Sequence, residues 1–434
     1  MKFIDKIDLL ISKIKCSNDQ SYLTLIRKKH IDLYLKNKFS FIDSPFIEQW
    51  NKKNLYNFFY QNEKKEKYKQ EKILEDEIIS YSKRNNTFLF VFINGKYNDQ
   101  LIKYKYNKIN YNIINLDHVF DNDKKIKNFY ENLCYFRYNV FYSLNIIVLD
   151  NFLYINIPDN VSLEKPIEIL HYYNNNESIM INSRILIIVG KNSNVKIIEN
   201  YKFIKKNYSF INIVNDLYAS NYSKIDYFKV QNNIKNSYFV DNTNIKQKKG
   251  SECKVYTFSL QGEKIKNNLN FFSNGEKTKS NLYGISLLYN KDSIYHSTSI
   301  NHLFSNSYSN QLYKNILFGN SNGIFDGKIF IDKNIKKINA FQKNENILIS
   351  KRSNFYSKPQ LEIYSKDVKC SHGCTIGHIQ KSELFYLKSR GISEKEGNIL
   401  LLFSFLNDIF KSITLYNLKK IIQDNINKKL NEFL

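Results

Sequence analysis

From about residue 140 the chain repeats itself. A turn rich in Asn, Ser, Lys and Gly, followed by a strand start, recurs at Val195, Ile225, Val255, Leu282, Leu312 and Ile338, with separations of 30, 30, 27, 30 and 26 residues. Short alternating strands fill this region and the helical period is absent. A drifting repeat of this length predicts a solenoid, in which no turn can bury its apolar stripe alone and each covers the next. Proline would interrupt such ladders, and the chain has only four, with Pro158 and Pro166 near the start of the region. The expectation is a mainly β protein with a β-helix-like core over residues 140–378. A large β-sandwich with irregular loops is the other arrangement this texture allows.

The flanks read as helical. Residues 1–100 form a charged N-terminal region: Ile4 to Ile14, Tyr22 to Tyr34, and a Lys/Glu-rich stretch from Glu63 to Arg84 whose Ile73, Ile78 and Ile79 are too sparse to face a core. Asp43-Ser44-Pro45 marks a turn before Trp50, a lone tryptophan that reads as packing. Residues 101–139 connect this region to the core, and residues 379–434 form a C-terminal helical domain. There Ser382 can cap a first helix and Gly391 can end it in the left-handed conformation. Ser393-Glu394-Lys395-Glu396 has the form of a capping box. In the helix that follows, Ile399, Leu402, Phe403, Leu406, Ile409 and Phe410 make one stripe, and Leu400, Leu401 and Phe405 a second apolar surface. One face can cover the solenoid. The other needs a neighbour, either a subunit or another part of the same chain.

Length and composition narrow the class. A chain of 434 residues, 42% hydrophobic and 15% aromatic, is long enough for a substantial core and too apolar for general disorder. The net charge of +24 would ordinarily suggest a nucleic-acid or anionic-membrane partner, but only six of 65 basic residues are arginine and the lysines are spread along the whole chain. They are read as a solvated surface, so no nucleic acid is expected. Cys16, Cys134 and Cys253 are scattered without paired spacing, which fits a reducing compartment. The N-terminal apolar residues are broken by Asp5, Lys6 and Asp8, and the longest apolar run, near Ile399 to Leu406, is far short of the ~20 residues of a membrane span. A soluble cytoplasmic protein is expected.

The chemistry concentrates in one segment. Cys370, His372 and Cys374 stand at i, i+2 and i+4, and if the strand pattern of Leu361-Glu362-Ile363-Tyr364 continues into them, all three share a face. Thiolate and imidazole suit iron or sulfane sulfur. A structural zinc would want a fourth ligand, for which only His378 is near. The other readings are plain packing or a half-site completed by a second subunit. No G-x-x-x-x-G-K-[ST] loop is present, and Gly323-Ile324-Phe325-Asp326-Gly327-Lys328-Ile329 has the wrong spacing, so the chain should not hydrolyse ATP. Neither a G-x-S-x-G elbow nor an H-E-x-x-H helix occurs. His296 and His302, in the polar stretch YHSTSINH, are expected to be surface or turn histidines.

The run LEIYSKDVKCSHG, then Thr375 and Gly377, then LFYLKSRGI from Leu384 to Ile392, resembles the C-terminal signature of the SufB/SufD family of iron–sulfur assembly scaffolds. QLYKNIL, GIFDGKIFI and NILIS stand in family-like order. The lead-in Pro359-Gln360-Leu361-Glu362-Ile363-Tyr364 is more similar to the SufD branch. The N-terminal tryptophan segment is represented only by Glu48 to Lys52. The resemblance implies a right-handed parallel β-helix and a noncatalytic subunit. It implies pairing with a SufB-like subunit and docking of a SufC-like ATPase through the C-terminal helices, here Phe385, Arg390, Leu402, Phe403 and Leu406. Cys370 and His372 fall on the family's Cys-Ser-His positions, as transient iron or cluster ligands shared with the partner and with no tightly bound cofactor. Cys374 stands where the family has a small residue and is an unmatched extra. A β-helix carbohydrate-active enzyme is the rival: it would need carboxylates converging on one solenoid face. A basic nucleic-acid-binding protein is the second rival.

Overall fold

The computed structural model describes residues 9, 11–12, 14–16, 22–42, 86–98, 109–115, 139–148, 151–174, 179–204 and 209–434. Helix α1 (Tyr22–Ile42) precedes β1 (Phe88–Ile93), β2 (Lys96–Tyr97), β3 (Asn110–Asn115), α2 (Val140–Val148) and β4 (Asn151–Ile157). The coils then run through β5 (Ile167–Tyr173), β6 (Ile179–Val189), β7 (Asn194–Phe203), β8 (Ser209–Ala219), β9 (Lys224–Gln247) and β10 (Glu252–Ser273). They continue with β11 (Lys279–Leu288), β12 (Ser293–His302), β13 (Tyr308–Leu317), β14 (Asn322–Ile331), β15 (Ile338–Leu348), β16 (Asn354–Ile363) and β17 (Val368–Gly377). Helices α3 (Lys381–Ser389), α4 (Glu394–Ser412) and α5 (Tyr416–Phe433) close the chain. The expected helices at Ile4–Ile14 and Glu63–Arg84, the turn at Asp43, Trp50 and Cys134 lie in whole or large part outside the described residues.

Parallel pairing stacks the strands two apart in the chain. One sheet runs β1, β5, β7, the first half of β9, the first half of β10, β11, β13, β15 and β17. The other runs β4, β6, β8, the second halves of β9 and β10, β12, β14 and β16. This is a parallel β-helix. At its N-terminal end the ladders stop on antiparallel strands, β2 on β1 and β3 on β4. The solenoid was expected to begin at residue 140. Instead β1 pairs with β5 and residues 140–148 are helical, because Phe88–Ile93 is an unbroken apolar run of the kind that parallel strands buried on both faces require.

The corners explain the asparagine-rich turns. Asn160, Asn192, Tyr222, Gly250, Lys277, Asn306 and Lys337 all have positive φ. Each donates its N–H to a carbonyl one coil further on, at 2.7–3.2 Å. Asn and Gly adopt that left-handed conformation at least cost.

Side chains inside the helix form columns in register. Ile167, Ile197, Tyr227, Val255 and Leu282 stack in one and belong to a single apolar cluster with Leu153, Ile185, Leu217, Ile245 and Leu269 of the other sheet. Both outer faces of the middle coils are covered as well. Val140, Phe141, Leu144 and Ile147 of α2, with Ile31 and Tyr34 of α1, pack on Met180, Phe210, Tyr238 and Val240. Leu402, Leu406, Ile409 and Phe410 of α4 and Leu418, Ile422, Ile426 and Leu430 of α5 pack on Phe228, Tyr256, Phe258, Ile285 and Ile316. Lys314 fastens α4 further: its Nζ donates to the Phe405 carbonyl at 2.7 Å and pairs with Asp408 at 2.8 Å and Glu345 at 3.0 Å.

The capping box at Ser393 and Glu396 is formed, and Gly391 ends α3 with φ +84°. Helix α3 starts one residue before Ser382, with Gln380 at its N-cap and no side-chain cap.

Candidate functional site at the open end of the solenoid

Strand β17 is the last of its sheet and pairs only with β15 among the described residues. Its counterpart in the other sheet, β16, pairs only with β14 among the described residues. Pro359 sits in β16, as an edge strand allows, since a missing N–H there costs no central ladder bond. The C-terminal end therefore presents two open strand edges where the N-terminal end presents antiparallel caps.

The expected strand alternation is realised. Cys370, His372 and Cys374 lie in register with Ala340, Gln342 and Asn344, all three buried, while the intervening Phe341 and Lys343 are exposed. Parallel neighbours in register point the same way, so the three residues face inward and end three interior columns. Val195, Ile225, Cys253, Ser280, Ser309 and Ala340 lead to Cys370. Tyr227, Val255, Leu282, Gln311 and Gln342 lead to His372, and Lys229, Thr257, Gly284, Tyr313 and Asn344 to Cys374. No described strand follows them, and His372 and Cys374 are exposed at an inward-facing position.

Each of the three has a different setting. Cys370 is half-buried against Ile329, Ile331, Ile338 and Leu361, and this burial raises its thiol above the ordinary range, only partly opposed by a backbone hydrogen bond with Ala340. The Cys374 sulfur stands 3.9 Å from Asn344 Oδ1. Alternate residues on a strand are about 6.6–6.8 Å apart, so the three side chains form a line and not a clasp. Among the described residues no group of three or more His, Cys, Asp or Glu can hold a metal ion. His378 is tied by Nδ1 to the Leu348 carbonyl at 2.6 Å. What this line can supply is one or two ligands to an ion completed from outside, in the way a half-site would.

Other chemistry lies deeper. Glu199 is sealed inside, 3.0 Å from His171, hydrogen-bonded with Tyr227 and Asn215, and 3.4 Å from Lys229, which is also paired with Asp241. Burial works to raise the Glu199 carboxyl, but Lys229 and the hydrogen bonds with His171 and Tyr227 hold it below the usual carboxylate range. Burial and Glu199 raise Asp241 against the pull of Lys229. These two carboxylates face the interior and not a surface groove, so they do not form the arrangement a glycoside hydrolase needs. Sequence reasoning missed this cluster; the signal was Ile-Glu-Asn-Tyr at 198–201, whose period-2 partners Glu199 and Tyr201 fall on the same face as Ile197.

Two expectations are corrected. His296 and His302 are fully buried in β12, where Ile294, His296, Thr298, Ile300 and His302 all point inward. Ser286 Oγ lies 2.9 Å from His296 Nε2, and Ser309 Oγ 2.9 Å from His302 Nε2, so a hydroxyl partners one nitrogen of each ring where water would at a surface, while His302 Nδ1 has no partner among the described residues. Leu402 and Leu406, expected on an ATPase-docking surface, are completely buried against the solenoid of their own chain, because the stripe they share with Ile409 and Phe410 meets the apolar outer face of β10, β11 and β13. Phe403 is half-buried beside Phe410, with ring centroids 6.2 Å apart. The face that remains open is carried by α3, which buries no residue: Phe385 is 74% exposed and Tyr386 57%, with the Arg390 guanidinium 5.3 Å from the Tyr386 ring centroid. Leu400 of α4 is also exposed.

Among the described residues no helix is long and apolar enough to cross a membrane. Comparison with known proteins matches residues 171–405, more than half the chain, to the SufBD core domain of the SUF system for FeS cluster assembly. A Synechocystis iron–sulfur cluster assembly SufBD family protein is 30% identical over 291 residues, 64% of each chain. The iron–sulfur cluster assembly protein SufD of Escherichia coli is 29% identical over 175 residues, 40% of this chain and 41% of that one. SufD of Bacillus subtilis is 23% identical over 295 residues, 66% of each chain. The similarity thus spans less than two thirds of the first two relatives' own length. It contains the columns, the open end and the first turns of α4, and the chain belongs to the SufBD family of iron–sulfur cluster assembly proteins.

Proposed function

We propose that this chain is a noncatalytic scaffold subunit of a SufBCD-type complex, in the role of the SufD component, and that its working part is the open end of the solenoid. One observation carries the reading: Cys370 and His372 point inward on the last coil, which no further coil covers among the described residues. An inward-facing residue that nothing covers contributes little to the fold, and a second β-helix subunit of SufB type laid against β16 and β17 would enclose it. Iron and sulfide are then cargo, held transiently by Cys370 and His372 together with groups of the partner. The raised thiol of Cys370 keeps it protonated until a metal or sulfur species displaces the proton. Free thiols at such a site suit a reducing, cytoplasmic setting.

A SufC-like ATPase docks, in this reading, on Phe385 and Tyr386 of α3 and on Arg390 at its C-cap, with Phe403 at the border, and not on Leu402 or Leu406. The chain supplies no phosphate-cradling loop, so ATP turnover belongs to that partner. Co-purification tests the assembly. A tagged chain should bring down a second β-helix subunit and an ATPase; a chain that purifies alone from cells expressing all three overturns the reading.

A further inference from the structure

Beneath His372 lies a hydrogen-bonded run of side chains with a direction. Gln342 Nε2 donates to Gln311 Oε1 at 3.0 Å, and Gln311 Nε2 donates to Thr298 Oγ1 at 2.6 Å. Each amide directs one N–H inward. That leaves the carbonyl of Gln342 as a surplus acceptor at the outer end, and Gln342 Oε1 is fully buried with no hydrogen-bond partner among the described residues, in a residue only 3% exposed. A buried acceptor without a partner is costly and uncommon. Its register neighbour on β17, the one described strand beyond it, is His372, one strand spacing of about 4.8 Å away and facing the same way. Asn344 Nδ2, on the same face two residues along, is also unpaired, so these two amides do not satisfy each other.

The site is built to hold that amide. Gly327, in β14 of the facing sheet, leaves the space into which Gln342 extends: a methyl group there would stand 1.9 Å from Gln342 Nε2 and 2.7 Å from the Phe325 ring. Even the smallest side chain at 327 would force the amide out.

We propose that Gln342 is a positioning residue for His372: the exposed imidazole, which makes no such bond in the structure, turns to donate one N–H to the unpartnered Gln342 Oε1, and the other ring nitrogen is thereby presented as a lone pair to the open end. This rests on the scaffold reading for its purpose, since a neutral imidazole fixed in one tautomer is the form that binds a metal. The interior columns then do more than fill the solenoid. They aim the last coil.

The test uses the isolated full-length chain, labelled with ¹⁵N-histidine, with His372→Gln identifying the His372 signals among the seven histidines. Long-range ¹H–¹⁵N spectra near neutral pH report the tautomer of each ring. Wild type should show His372 in a single tautomer, and Gln342→Met and Gly327→Ala should show a mixture. A mixture in wild type, or a single form retained in both Gln342→Met and Gly327→Ala, overturns the proposal. Should Gln342→Met fail to fold, wild type and Gly327→Ala still decide it. In the reconstituted complex, Gln342→Met should retain iron about tenfold to a hundredfold less tightly. The two readings fail separately. Wild-type cluster yield in His372→Ala with the tautomers behaving as expected sinks the assembly role and leaves the hydrogen bond; the reverse pattern sinks only the hydrogen bond.

Discussion

The middle coils and the last coil of this solenoid are built from the same register and differ in what covers them. In the middle, α1 and α2 close one outer face and α4 and α5 the other, and every inward residue has a coil above and below. At the C-terminal end the columns continue for one more step and stop, among the described residues, at Cys370, His372 and Cys374. Column composition changes on the way: Ile197, Tyr227, Val255 and Leu282 give way to Gln311, Gln342 and His372. Apolar residues stand where burial stabilises, and polar ones appear toward the open end, where the proposed partner would sit. On the proposed reading, stability and function are separated along the axis.

The largest effect should come from the covered middle. Leu406→Asp deletes a completely buried side chain and puts a charge in its place, which should cost about 4 kcal/mol or more in urea unfolding. A change under 1 kcal/mol would mean that α4 is not held as described.

Next comes the pH response of the interior. Burial pushes His296 down to about 3 and His302 to about 4, from 6.5. The unfolded chain therefore binds protons on these rings that the folded chain refuses. Their contribution to stability is fully present above about pH 6.5 and falls as the pH drops toward 4, by as much as about 1.4 kcal/mol per pH unit for each ring. His296→Gln should flatten the fall in urea midpoint between pH 6 and 4 by one ring's share; an unchanged slope would contradict the burial of His296.

How far the sequence carried follows the same division. The solenoid was legible because Val195, Ile225, Val255 and Leu282 repeat as apolar strand positions. The spacing read from them slips by two residues: Ile225 stacks on Cys253 and not on Val255, and Val255 stacks on Leu282. The slip arose because the column from Val195 becomes Cys253, Ser280 and Ser309, and small polar residues carry no hydrophobic signal. Followed correctly, that column ends at Cys370. The shared face of Cys370, His372 and Cys374 was readable from alternation alone. The interior histidines were not, because alternation in Ser-Ile-Tyr-His-Ser-Thr-Ser-Ile-Asn-His has polar residues on both faces, and only a facing sheet decides which set is buried. Nor could sequence assign the α4 stripe to its own chain, since an apolar helix face is the same whether a solenoid or a subunit covers it.

Smaller effects on stability belong to the exposed regions. Phe385→Asp should leave the urea midpoint within about 0.5 kcal/mol of wild type, since the ring is 74% exposed, while weakening capture of the ATPase partner at least tenfold. Undiminished capture would move the docking face elsewhere. Cys374→Ala should be nearly silent both in unfolding and in cluster yield, because an exposed sulfur leaves little cavity. A severe loss of cluster would show that this chain has shifted a working ligand along its strand.

The most direct measurement is the iron and sulfide content, with the visible absorption, of a complex reconstituted with His372→Ala. Folding and complex assembly should match wild type by urea midpoint and by size, because the imidazole is exposed and uncovered, while cluster yield falls at least about tenfold. Wild-type iron, sulfide and absorption in that complex would contradict the claim that the open end of the solenoid is where this protein works.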